Sequence, residues 1–170
     1  AAQLPKVIGG GTGPAFSTAS KASYWRLQFL EIVANASGTG DIVKLGSGSE
    51  TVAANQAHHF ILDRVYIHGR KDTGAKRGVA LNSGNAWIRG SWIDEIKSTT
   101  QDSQAICGWN GPGPFLIENN YLSAAAENVL FGGADPTIPD LVPSDIKIVR
   151  NTFTKDLAWR GTSWIVKNLL

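Results

Sequence analysis

The residues best placed to do acid–base chemistry are His68 and Asp94. Each stands two positions after an aromatic residue, Tyr66 in one case and Trp92 in the other. A third aromatic, Tyr121, is followed at the same spacing by Ser123. If these segments are neighbouring parallel strands, Tyr66, Trp92 and Tyr121 form one outward column. His68 and Asp94 then form the next, about 5 Å apart at the strand spacing. A His–Asp pair can move protons, and a flat aromatic face suits a sugar ring. Both features also have plainer readings: a hydrogen bond that closes a turn, and apolar surface covered by loops.

Charged residues gather just after these columns. Arg70, Lys71, Asp72, Lys76 and Arg77 come first, then Glu95, Lys97 and Asp102, then Glu127, then Lys155, Asp156 and Arg160. Stacking would bring them to one rim. Arg70 would suit an acidic group on a ligand. Lys97, Lys155 and Arg160 are candidate bases for β-elimination, and Asp94, Asp102 and Glu127 are candidate carboxylates for hydrolysis. A solvated ladder of salt bridges would use the same residues. No HExxH motif and no Cys/His zinc spacing occurs. Calcium at a loop Asp or Glu is compatible with the sequence and has no motif behind it. His58 and His59 precede a core strand. Neighbours in a strand point opposite ways, so they read as loop residues that do not share a site.

What positions these residues is a repeat. The pattern is apolar, any, apolar, any, any, small or Asn, any, apolar. It recurs five times: Trp25-Leu27-Leu30-Ile32, Phe60-Leu62-Val65-Ile67, Ala86-Ile88-Ser91-Ile93, Phe115-Ile117-Asn120-Leu122 and Ile146-Ile148-Asn151-Phe153. The period is 2 with one break, which means strand, sharp turn, strand. Asn120 and Asn151 stand at the break and suit a tight bend. Spacers between copies differ in length, as rim loops do on a solenoid. A further apolar segment follows each copy: Asp41–Leu45, Gly78–Leu81, Gln104–Cys107, Asn128–Phe131 and Trp164–Val166. Three short strands per turn predict an all-β, right-handed parallel β-helix of about five to six coils over residues 21–170. Residues 1–20, rich in Gly, Ala, Ser and Thr, read as an N-terminal arm or partial first coil.

Composition narrows the function classes. The chain has 170 residues, 42% of them hydrophobic, and a net charge of +2. That charge is not clustered on one segment, which argues against nucleic acid as partner. No apolar run is long enough to span a membrane. The lone Cys107 sits in an apolar stretch and reads as a small core residue. The start Ala1-Ala2-Gln3 suggests export, hence a secreted or periplasmic location. Trp164–Leu170 begins a strand and stops without a polar cap. The expectation is a part of a longer β-helix, or an end covered by self-association or a partner.

Several runs carry a family likeness: Gly78–Asn82, Gln104–Pro114, Glu118–Leu122 and Glu127–Asp135. Together they resemble right-handed β-helix proteins of the pectate-lyase-like superfamily, in a branch found in environmental bacteria. The resemblance implies a secreted protein whose partner is polysaccharide, acting as lyase or hydrolase. The same superfamily holds non-catalytic glycan-binding, adhesin-like and structural modules. The acidic calcium cluster of the pectate lyases has no counterpart here. Asp94, Asp102 and Asp135 do not stand in the polygalacturonase motif.

Overall fold

The computed structural model describes residues 3–169; Ala1, Ala2 and Leu170, and with them the expectation built on the first residues, lie outside it. In chain order the strands are β1 (Lys6–Ile8), β2 (Phe16–Ser17), β3 (Ser23–Gln28), β4 (Glu31–Val33), β5 (Asp41–Gly46), β6 (His58–Asp63), β7 (Tyr66–His68), β8 (Arg77–Asn82), β9 (Gly84–Arg89), β10 (Trp92–Ile96), β11 (Gln104–Gly108), β12 (Gly113–Glu118), β13 (Tyr121–Ala124), β14 (Glu127–Phe131), β15 (Ile146–Val149) and β16 (Thr152–Thr154). They form three parallel sheets. Sheet A is β1-β4-β7-β10-β13-β16, sheet B is β14-β11-β8-β5-β2 and sheet C is β15-β12-β9-β6-β3. From β3 onward the chain visits C, A and B in strict rotation, one round after another. The architecture is all-β and compatible with a parallel β-helix.

The repeat read from the sequence is the register itself. On sheet C, Trp25, Phe60, Ala86, Phe115 and Ile146 are successive partners, as are Leu27, Leu62, Ile88, Ile117 and Ile148. On sheet A, Ile32, Ile67, Ile93, Leu122 and Phe153 follow one another. Val43, Val79, Ile106 and Val129 do the same on sheet B. These rows meet in one core, where the Ile67, Ile88, Ile93, Ile106 and Ile117 side chains are fully buried. Each such side chain contributes roughly 1.5–3 kcal/mol on leaving water. Cys107 is buried too.

The turn from sheet C to sheet A differs from the simplest expectation. The left-handed residue is not the Asn but the one before it. Phe29, Arg64, Gly90, Asn119 and Arg150 all have φ between 53° and 57°. For a non-glycine residue this costs about 1–2 kcal/mol. What offsets the cost is the next side chain, which turns inward. Asn120 Nδ2 donates to the Ile88 carbonyl (2.9 Å) and Asn120 Oδ1 accepts from the Ser91 backbone N–H (2.9 Å). Asn151 repeats both bonds one round on, to Ile117 and Asn120. The Asn ladder thus satisfies buried backbone groups that the sharp turn leaves without sheet partners.

Beside the same turn lies a charge cluster. Buried Asp63 is bonded by Arg26, by Arg64 Nε (3.0 Å), by Arg89 Nη2 (3.3 Å) and by Gln28 Nε2 (2.8 Å).

The two ends of the stack are open to solvent. Trp25, in the first C strand, is 58% exposed, and Ile148, in the last, is 36% exposed, although both hold inward positions. The expected strand at Trp164–Val166 does not form. Instead the segment crosses successive rounds at the corner between sheets A and B. Ile165 N–H donates to the Ser98 carbonyl (3.0 Å), Lys167 N–H to Ala125 (3.0 Å), and Asn128 Nδ2 to Leu169 (3.0 Å). The backbone groups exposed at that corner are bonded by a segment running across the strands, so its alternation never meets a strand edge.

Candidate functional site

The outward side of sheet A carries both columns inferred from the sequence. Tyr66, Trp92 and Tyr121 are register partners, and so are His68 and Asp94. The column stacks across strands at Trp92 and Tyr121, while Tyr66 stacks within its own strand. Trp92 and Tyr121 lie 3.8 Å apart between ring centroids at 21°, and Tyr66 stacks on His68 at 4.4 Å and 22°. Trp92 and Tyr121 therefore cover one face of each other, and Trp92 remains 47% exposed. Two hollows open beside the stacks. One, of about 460 Å³, is lined by Tyr66, His68, Arg70 and Asp94 among others. The other, of about 310 Å³, is lined by Tyr121, Ser123 and Lys155. Asp94 and Glu95 line both, so the hollows meet at these two carboxyls.

A bulge puts them there. Ile93 pairs with Leu122 and Ile96 with Ala124, so β10 holds one residue more than β13 between its inward positions. Glu95 takes up the extra length with φ 55°. A bulge re-aims side chains that strict alternation would send to opposite faces. Asp94 and its neighbour both reach the groove for that reason. The spacing of the inward residues Ile93 and Ile96, three instead of two, was the available sequence signal for Glu95.

Asp94 is the groove's unusual acid. Trp92 Nε1 donates to its Oδ2 (2.8 Å), and the Tyr66 phenol lies beside it. Its Oδ1 is buried and has no hydrogen-bond partner. Burial is the largest influence and pushes the carboxyl above the usual Asp range, against the bond from Trp92 and the nearby Tyr66 hydroxyl. Burial, followed by the Asp94 charge, likewise pushes the Tyr66 phenol upward.

His68 faces Asp94's register but bonds elsewhere. Its Nδ1 meets the Gly69 carbonyl (2.8 Å) and its Nε2 the Glu31 carboxylate (3.1 Å). Both partners are acceptors, so only the doubly protonated ring satisfies them in full. Glu31 is held below the ordinary Glu range, first by its bond to Lys6 and then by His68. Arg70 Nε is anchored on the Ala34 (3.2 Å) and Asn35 (3.1 Å) carbonyls, with the side chain along the groove wall.

The lysines are spoken for. Buried Lys97 pairs with Glu95 (2.6 Å) and lies over the Trp164 ring at 4.8 Å. Lys155 borders the second hollow, but its Nζ donates to the Ala124, Ala125 and Ala126 carbonyls at 2.7–2.9 Å. Burial lowers its pKa. Three other candidates are not brought to this groove. Asp102 is half-buried and pairs with Lys167 (2.7 Å). Glu127 accepts from Gln104 Nε2 (2.9 Å) on sheet B. Arg160 is exposed after the short 3-10 turn Leu157–Trp159.

No family model, curated protein or solved structure matches this chain.

Geometry and residue chemistry are therefore what the functional reading stands on. Among the described residues, no group of three or more His, Cys, Asp or Glu side chains is arranged to hold a metal ion. Calcium takes six to eight oxygens; in this groove it would find the Asp94–Glu95 pair. No helix of the described residues is long and apolar enough to cross a membrane.

The histidine pair is a correction. His58 and His59 lie in β6 rather than in a loop. His59 has φ 60°, which breaks the alternation and brings the two rings together, Nδ1 to Nδ1 at 2.7 Å. A single left-handed residue inside a strand leaves no mark in the apolar period, so the pairing was not readable.

Proposed function

We propose that this chain acts on polysaccharide in the sheet A groove by hydrolysis, with Asp94 as the general acid. The observation that carries the reading is the Asp94 carboxyl. It sits where two hollows meet, burial favours its protonated form, and one buried oxygen is unpartnered. A carboxyl that keeps its proton can donate it to a glycosidic oxygen. Glu95, paired with Lys97, supplies the second carboxyl that such chemistry needs. Tyr66, Trp92, Tyr121 and Arg70 line the path along which sugar units would lie.

Of lyase and hydrolase, the engaged lysines favour the hydrolase. β-Elimination needs a base with a free lone pair, and Lys155 has all three N–H groups directed at carbonyls. The finer fold reading belongs to this proposal: a closed, right-handed parallel β-helix of pectate-lyase-like type, secreted or periplasmic, where polymeric glycans are met. The strict C–A–B rotation and the Asn ladder support it.

The test is a depolymerisation screen of the full chain on acidic and neutral polysaccharides, with and without calcium. It follows both new reducing ends and unsaturated uronate. Reducing ends without unsaturated product, lost in Asp94→Asn, are expected. Unsaturated product would move the assignment to a lyase. Retained glycan binding without any product would leave a non-catalytic binding module, which the exposed Trp92–Tyr121 stack favours as second reading.

A further inference from the structure

A second constellation lies on sheet C, away from this groove. His58 and His59 are adjacent in β6, yet their imidazoles converge, with centroids 4.8 Å apart and Nδ1 atoms 2.7 Å apart. The cause is a row of left-handed residues at one register. Tyr24 (φ 62°), His59 (φ 60°) and Asn85 (φ 44°) bulge outward in three consecutive rounds. Tyr24 stacks on the His59 ring at 4.7 Å and 28°, and meets His58 edge-on at 5.7 Å. At the register of His58 the following rounds carry Gly84 and then Gly113, neither of which has a side chain. His58 is half-buried and His59 is exposed.

A 2.7 Å contact between two imidazole nitrogens needs one proton between them. Remove that proton and two lone pairs converge on one point. A metal ion bound through both nitrogens at about 2.0–2.1 Å, with a right angle between them, separates them by about 2.9 Å. The separation of the two nitrogens is therefore within a few tenths of an ångström of that in a chelate before any ion arrives.

We propose that His58 and His59 form a two-nitrogen chelate for a late first-row divalent ion, copper(II) above all. Imidazole suits copper, and copper(II) heads the affinity order for nitrogen ligands. On binding, both Nδ1 lone pairs go to the ion; the neutral donor ring gives up the shared proton from Nδ1 and takes one from solvent at Nε2, so both ligating rings stay neutral imidazoles. Water fills the remaining positions. The ring face of Tyr24 fixes His59, as an outer partner fixes a ligating imidazole. The site is independent of the sheet A groove and of any glycan chemistry there.

The experiment is a titration of the full chain with copper(II) chloride in a non-coordinating buffer, read by calorimetry and electron paramagnetic resonance. One site with two equatorial nitrogens is expected. His59→Asn keeps a residue that tolerates the left-handed conformation, and His58→Gln leaves the bulge residue untouched. Each is expected to weaken binding by more than the roughly tenfold that losing even an outer partner costs. Circular dichroism checks that each variant is folded; if His59→Asn is not, His58→Gln decides. A wild-type spectrum with one nitrogen or none would overturn the proposal. Unchanged affinity in a folded variant would do the same.

Discussion

Asp63 and Asp94 are the same side chain, one round apart, and their surroundings drive them in opposite directions. Asp63 sits at the turn between sheets C and A among Arg26, Arg64 and Arg89. The bond from Arg64, followed by those from Arg26 and Arg89, holds its carboxyl far below the usual Asp range despite its burial. Asp94 has an indole N–H and a phenol where Asp63 has three guanidiniums, and its burial wins. A buried acid with its charges matched is a strut. A half-buried acid bonded by no cation, at the meeting of two hollows, is poised to keep and give a proton. Sequence position does not separate the two cases; partner geometry does.

The largest expected effect follows from that contrast. Asp94→Asn should lower hydrolysis by about 10²–10⁴, the usual contribution of a positioned acid, and leave thermal stability intact. Steady-state rates beside a melting curve check it. Asp63→Asn should do the reverse. Removing one partner of a buried ion cluster should cost roughly 3 kcal/mol, the low end of the usual range because the arginines reach solvent. Denaturant unfolding reads the loss, and the hydrolysis rate per folded molecule should not change.

The pH dependence of stability should also have opposite signs at the two sites. Asp63 is depressed in the folded state. Its contribution is present above the unfolded-state Asp pKa and is lost as pH falls below it. Asp94 is raised in the folded state. Its contribution is full below the unfolded-state pKa and is lost as pH rises through the folded one. Urea midpoints of wild type, Asp63→Asn and Asp94→Asn across acid to neutral pH test both signs. Equal slopes in all three proteins would break the comparison. The smallest effect belongs to Trp92→Phe, which removes the N–H bond that holds Asp94 down. The Asp94 carboxyl should rise further, with about 1 kcal/mol lost from the changed stacking on Tyr121.

Much of this architecture was legible because a stacked fold writes its register into the chain. Phe60, Ala86, Phe115 and Ile146 were aligned by pattern alone and are true partners. The outward columns followed from alternation, so Tyr66 fell beside Trp92 and His68 beside Asp94. What failed to read was every local departure from period 2. The bulge at Glu95 moved a carboxyl into the groove, and the left-handed His59 turned its ring toward His58. The turn at Asn120 was recognised, but the bend belongs to Asn119 and the Asn120 side chain works inward. Trp164–Val166 has strand-like alternation and crosses the strands instead, because carbonyls of Ser98 and Ala125 capture its backbone. The partner of each charge was not readable either: a ladder of salt bridges was one reading of these residues, and in the fold Lys97 pairs with Glu95 while Lys155 bonds backbone carbonyls.

The most direct measurement is a carboxyl-carbon NMR titration that resolves Asp94 and Asp63 in the folded chain. The expected result is Asp94 taking up its proton above the ordinary Asp range, while Asp63 stays ionised well below it. Asp94 titrating at or below the ordinary value would contradict the assignment of Asp94 as the proton donor.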